Sequence, residues 1–232
     1  MSSVRVRTLA ASALVAALVP IVLVGNGVHV IAHDWFVRFE YDRSGFPADP
    51  YGLSRDARTE LALTGLQSVQ PHSDEGVDLL RRARLPTGAR AFGGRELRHM
   101  QDVRRLLGGL YGAHLIALLA VSALVIWARP MLFRGLRWGA VATLALAAAT
   151  GVAVLVDVDA YLAGFHRIFF EGDSWRFADQ DTLRRLYPDR FWEDTAKLLT
   201  AGAVAQALLL VGADRLWAHR AKLQTATWRS ST

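Results

Sequence analysis

Seven histidines, in a chain with no cysteine, are the side chains best suited to move protons near neutral pH. Two of them sit in company that could do chemistry. His99 lies in "RELRHMQDVRRLL", where Arg95, His99, Asp102 and Leu106 recur along one helical face, so that His99 and Asp102 can meet. His166 lies in "GFHRIFFEGDSWRF", inside an aromatic cluster. A neutral imidazole accepts a proton and a protonated one donates towards a developing oxyanion, so two imidazoles can divide the work of acyl transfer. Both fall at the edge of an apolar run, which suits a lipid ester. The competing reading is structural, since buried and paired polar residues also serve packing.

The other candidates are weaker. His29 and His33 are four apart, with Asp34 adjacent, and resemble part of a metal site; two histidines fall short of a full ligand set, and packing is the preferred reading. His72 and His219 stand in polar segments and should be solvated. His114, inside an apolar run, suits an interhelical hydrogen bond. Ser174 beside Asp173 suggests a serine hydrolase, but no G-x-S-x-G elbow surrounds it. No Walker or Rossmann glycine pattern opens a suitable helix. Without cysteine there is no disulfide, no thiol nucleophile and no thiolate metal ligand in the chain.

The elements that must carry these residues are mostly apolar, with 52% of the 232 residues hydrophobic and 21% charged. Four runs, about 9–31, 109–128, 137–156 and 195–217, each approach or reach the length that crosses roughly 30 Å of hydrocarbon as a helix. The first has a basic flank, but "VLVGNG" offers no small-x-small cleavage site, so a retained helix with a kink at Pro20 is expected rather than a signal peptide. The expectation is an all-α polytopic membrane protein, a single integral domain over 1–232, with extracytoplasmic segments at about 33–108 and 157–194.

Arg5 and Arg7, then Arg129, Arg134 and Arg137, then Arg215, Arg220, Lys222 and Arg229 fall on one side of that arrangement, which puts both termini in the cytoplasm. These flanks, beside anionic lipid, account for much of the net charge of +6 and pI near 10.3, and argue against a nucleic-acid partner. "GGLYGAHL" places Gly108 and Gly112, and Gly109 and Ala113, at a spacing that lets membrane helices approach closely.

The outer segments carry helical punctuation. Ser54 can cap "RDARTELALTGLQSVQ", which Pro71 ends; a short helix is expected in "DEGVDLLRRARL", and "RELRHMQDVRRLL" should run on into the second membrane helix. In "DQDTLRRLYP", Asp179 offers an N-cap, Leu183, Leu186 and Tyr187 an apolar stripe, and Pro188 a stop, which reads as an amphipathic helix lying at the interface. Trp175, Phe177, Tyr187, Phe191 and Trp192 suit the headgroup level.

Taken together, "YGLSRDARTELALTGL", "RELRHMQDVRRLL" and "FHRIFFEGDSWRFADQDTLRRLYPDRFW", in this order among four hydrophobic helices, resemble the lipoprotein intramolecular transacylase family over nearly the whole chain. The most specific parts are His99-Met100, Asp102-Val103-Arg104, Phe165-His166 with Phe170, Trp175 and Phe177, and the Leu186, Pro188, Phe191 and Trp192 pattern. Arg104 stands where the family pattern leads one to expect lysine, which keeps the charge and changes its geometry.

The resemblance implies a bacterial cell-membrane enzyme, active at the outer leaflet as a monomer, that moves the sn-2 acyl chain of a diacylglyceryl-modified lipoprotein onto the α-amino group of the lipoprotein's own N-terminal cysteine. Membrane lipid and the diacylated lipoprotein are its partners, and no cofactor or metal is needed because donor and acceptor share one molecule. His99 is then the expected base, oriented by Asp102, and His166 the oxyanion stabiliser or proton donor, with the two roles exchangeable. Arg104, Arg105, Trp175 and Asp173 form the expected orienting or substrate-binding set, around a pocket above an acyl groove. The competing classes are a metal-dependent membrane hydrolase and a noncatalytic lipid- or protein-binding module.

Overall fold

A computed structural model describes residues 3–127, 129–172 and 174–230, and every named element among them is a helix. Asp173 and the side chains of Arg5, Arg7, Arg129, His219, Arg220, Lys222 and Arg229 lie outside the described residues. The elements are α1 (Ser3–Ile31), α2 (Asp34–Asp42), α3 (Arg55–Val69), α4 (Asp78–Arg82), α5 (Gly94–Trp127), α6 (Arg129–Val156), α7 (Val158–Phe169), α8 (Thr182–Leu186) and α9 (Asp189–Ser230). Four of them, α1, α5, α6 and α9, are long and apolar enough to cross a membrane. At about 1.5 Å per residue α5 is far longer than about 30 Å of hydrocarbon requires. Its charged residues, Arg95, Glu96, Arg98, Asp102, Arg104 and Arg105, all precede Leu106, so its apolar crossing portion follows Arg105 and His99 stands outside it.

The chain forms two compact units. One comprises Met1–Gly27, Ala113–Val152 and Leu199–Thr232. Its core is Val15, Val19, Leu23, Ala140 and Ala207. The close approach of helices comes from a different pair of glycines than the expected one. A Cβ on Gly139 would lie 2.5 Å from Val19 Cβ, and one on Gly135 2.9 Å from Val15 Cβ, so two glycines one turn apart on α6 receive two valines one turn apart on α1. Gly109 and Gly112 have open space at their α-carbons, and therefore do not mediate helix packing. His114 makes the interhelical bond expected of it: Nε2 lies 3.0 Å from Asn26 Oδ1, and Asn26 Nδ2 donates to Gln206 Oε1 at 2.7 Å. Gly25 has to be glycine because the His114 ring occupies the place of a Cβ.

The other unit comprises Val28–Gly112 and Ala153–Leu198. Ser54 caps α3, its hydroxyl accepting from Ala57 N–H at 3.2 Å. Phe36, Tyr41, Leu61, Leu80, Met100, Leu183, Leu186 and Phe191 share one core. This corrects the interfacial reading of the "DQDTLRRLYP" segment. Its apolar stripe faces protein rather than lipid, with Leu186 fully buried, and the phenolic hydroxyl of Tyr187 donates to Ala62 O at 2.6 Å. Phe191 is likewise buried, whereas Trp192 is exposed. The helix there is also shorter than expected and starts from Asp181 rather than Asp179. The reason is that Asp181 Oδ2 accepts from Ala178 N–H at 2.8 Å and from Arg95 at 2.9 Å, while Thr182 Oγ1 donates to Ala91 O, which ties the preceding turn down.

Helix α7 was not anticipated. Asp157 caps it, Oδ1 accepting from Ala160 N–H at 2.9 Å, and Val158, Leu162, Phe165 and Phe169 recur at helical spacing as an exposed apolar face. Such a face is suited to lipid.

Candidate functional site

Helix α5 starts at Gly94, and Glu96 fixes that start. Its Oε2 accepts from Gly93 N–H at 2.7 Å, the backward half of a capping box, and its Oε1 accepts from Leu183 N–H at 2.8 Å. The first turns of α5 are thereby fastened to α8, and His99 follows one turn after Arg95. On α7, His166 lies in the last turn, and its Nδ1–H donates to Leu162 O at 2.8 Å. Since the acceptor is a carbonyl oxygen, Nδ1 carries the proton, and in the neutral ring Nε2 is the free acceptor.

The two imidazoles meet at one aromatic side chain. The centroid of Phe170, a buried residue, is 5.0 Å from that of His99 and 5.7 Å from that of His166. Phe177 meets His99 edge-on at 5.2 Å. Trp175 stacks on His166 at 4.5 Å with the planes 23° apart. Arg95 lies over Phe177 and Arg176 over Trp175, at 5.7 and 5.1 Å from the ring centroids.

Three buried polar atoms of this cluster, His99 Nδ1, Ser174 Oγ and Trp175 Nε1, have no hydrogen-bond partner among the described residues. Burial, helped by the positive potential of His166, pushes the His99 imidazole down to about 4, while Asp102 opposes the shift. His99 is therefore neutral at physiological pH.

The remaining expected site residues are placed as follows. Asp102 Oδ1 pairs with Arg105 at 2.8 Å, an ion pair near the surface, and acts on His99 only through its field. The Arg104 guanidinium is used by the chain itself: it donates to Ser73 O at 2.7 Å, Pro71 O at 3.3 Å and Ser68 O at 3.4 Å, closing the loop after α3. Gly76, at φ +51°, is needed there because Arg104 Nη1 stands where a Cβ would go. His29 stacks on Tyr111, 4.1 Å between centroids and 14° between planes. Two cavities, of about 260 Å³ beside Tyr51 and Arg185 and about 400 Å³ beside Leu61 and Arg82, border neither His99 nor His166. Sequence reasoning missed Leu162 O and Glu96, and the one available signal was the Asp157-to-Ala160 cap that makes α7 a helix.

Four apolar helices and a two-imidazole cluster define a multi-pass membrane protein with the groups for acid–base catalysis. The family model described as lipoprotein intramolecular transacylase Lit matches residues 13–192. A protein of Aquifex aeolicus (strain VF5), described as uncharacterized, is 33% identical over 175 residues, 75% of this chain and 79% of that one. The in meso structure of the membrane integral lipoprotein intramolecular transacylase Lit from Bacillus cereus has the same fold, with a TM-score of 0.79 at 16% identity over 94% of this chain and 98% of that one. A histidine-to-arginine variant of that Bacillus cereus protein gives 0.75 at 15% over 94% and 95%. The chain belongs to the lipoprotein intramolecular transacylase family. It is an acyltransferase of the membrane, and its substrate is a lipoprotein.

Proposed function

We propose that His166 is the base and His99 the neutral hydrogen-bonding partner in transfer of the sn-2 acyl chain from the diacylglyceryl group to the α-amino group of the lipoprotein's N-terminal cysteine. The observation that carries this is the state of the two imidazoles on either side of Phe170. His166 has its Nδ1–H committed to Leu162 O, leaving Nε2 to accept; His99 is held neutral by burial. A base that protonates only at about 4 is a poor acceptor for an ammonium proton, whereas a neutral imidazole N–H is a good partner for a carbonyl oxygen or a departing alkoxide. This assigns the exchangeable roles opposite to the first expectation.

The steps balance within one substrate. His166 Nε2 takes a proton as the α-nitrogen attacks the ester carbonyl carbon; a C–N bond forms and the carbonyl π pair moves to oxygen. On collapse the bond between the acyl carbon and the glyceryl oxygen breaks, and the leaving oxygen takes the proton back from His166. The products are an amide and a free glyceryl hydroxyl. Proximity of the two ends of one molecule supplies the entropic advantage.

Arg105, exposed and paired to Asp102, is suited to a substrate phosphate or carbonyl oxygen at the rim. Arg104 shapes the loop beside it, and Trp175 and Asp173 complete the substrate-orienting set. The basic flanks support cytoplasmic termini and a site on the outer leaflet, and one chain carries both imidazoles, as a monomeric enzyme requires.

Mass spectrometry of the N-terminal lipopeptide, after incubating a diacylated lipoprotein with the purified protein, tests this reading. The expected product is an isomer with one acyl chain on nitrogen and one on glycerol, absent with His99→Ala and His166→Ala. Release of the chain as free fatty acid would make the protein a lipase instead, and activity retained in either variant would remove that histidine from the mechanism.

A further inference from the structure

We propose that Trp175 Nε1–H and Ser174 Oγ–H are the donor pair that holds the sn-2 carbonyl oxygen as it becomes an oxyanion. The inference rests on the acyl-transfer reading above and adds two catalytic residues to it.

Indole nitrogen can only donate, and burying it without an acceptor is unfavourable. Buried side-chain polar atoms in folded proteins normally have partners, so an unpartnered one needs a reason. Here two such donors sit on consecutive residues, in the loop that lays the Trp175 ring against His166. Elsewhere among the described residues only Arg58 Nε and His99 Nδ1 share this condition, and His99 belongs to the same cluster. The unsatisfied polar atoms of this unit are thus concentrated where the ester must react.

The stacking geometry directs the indole donor. An N–H lies in the plane of its own ring, and the two ring centroids are 4.5 Å apart with the planes 23° from parallel. Nε1–H therefore projects alongside the imidazole rather than into its face. An oxygen accepting from it lies near the indole plane, in the layer stacked against His166, where the oxygen of an ester whose attacking amine is deprotonated by His166 can sit. Arg176, over the indole, adds positive potential favourable to negative charge. A donor aimed at charge that develops only in the transition state needs no partner beforehand.

A hydroxyl and an indole N–H could instead be casualties of packing, and the test separates the two. Replacement of Trp175 by the isostere 3-benzothienylalanine keeps the ring, the stack and the volume while deleting the N–H. The expected result, by the lipopeptide assay, is a fall in kcat of about 10²-fold with KM changed by less than about 3-fold, and about 10-fold in kcat for Ser174→Ala. Thermal unfolding of the isostere protein should occur at or above the wild-type temperature, because the deleted N–H has no acceptor to lose. A kcat within about 2-fold of wild type in the isostere protein overturns the proposal. If the wild-type protein hydrolyses the ester rather than transferring it, the transfer reading falls on its own; the donor pair is still judged by the same rate ratio, because ester cleavage forms the same oxyanion.

Discussion

Deleting the Phe177 ring should return His99 towards ordinary histidine behaviour by an amount the structure sets. The imidazole starts from about 6.5 and is brought to about 4, chiefly by burial and secondly by His166. At about 1.4 kcal/mol per pH unit, the protonated form is disfavoured by about 3 kcal/mol. Two rings, Phe170 and Phe177, pack on His99, so Phe177→Ala should recover about one unit, near 1.4 kcal/mol, and His166→Gln a smaller part. The sign for stability follows. The unfolded chain binds a proton at His99 that the folded one refuses between about 6.5 and 4, so acidification through that window destabilises wild type, and Phe177→Ala narrows the window. Carbon-detected NMR of ring-labelled histidine in nanodiscs, with His99 assigned by its loss in His99→Gln, reads the midpoint directly. A wild-type midpoint near 6.5, or one unmoved by Phe177→Ala, would refute the account of a neutral imidazole and the assignment of roles built on it.

Two further outcomes concern the scaffold. The Asp49 side chain is buried, and although burial alone would raise its carboxyl, hydrogen bonds from Arg185 and Leu53 N–H hold it below the ordinary value; Asp49→Asn, which strands Arg185, should cost about 3–5 kcal/mol in chemical denaturation, and wild type should lose this contribution only as pH falls below about 4. Gly139→Val should lower the unfolding temperature markedly in detergent, since overpacking costs about 1–3 kcal/mol, while Gly112→Ala should be neutral or stabilising by up to about 1 kcal/mol; equal effects at the two sites would contradict the α1–α6 contact.

Much of this fold is written in local chemistry, and the departures share a cause. Four apolar runs, the Ser54 cap and the continuation of "RELRHMQDVRRLL" into a membrane helix need only chain-neighbour information, and all appear. The glycine spacing at Gly108 and Gly112 is the same as at Gly135 and Gly139. What distinguishes them is Val15 and Val19 at matching pitch on another helix, which spacing within one helix cannot contain. The amphipathic stripe at Leu183 and Leu186 has the period of an interfacial helix and of a core helix alike, and the Glu96 and Ala91 tethers decide which it is.

The site divides along the same line. His99 and His166 are recognisable by residue type and by the aromatics around them. Their states depend on contacts that several local choices allow equally. Asp102 has His99 and Arg105 each three residues away on its own helix, and helical geometry permits either pairing; the stronger attraction of carboxylate for guanidinium over a neutral imidazole selects Arg105. Burial then keeps His99 neutral with no carboxylate hydrogen bond to offset it, and neutrality transfers the role of base to His166. There the decisive bond is local again: once Asp157 makes α7 helical, the Leu162 carbonyl lies one turn before His166, and its acceptance of Nδ1–H orients the ring. A cap nine residues away thus sets the tautomer of the proposed base, and the chemistry passes from sequence to site through one helix that a carboxylate begins.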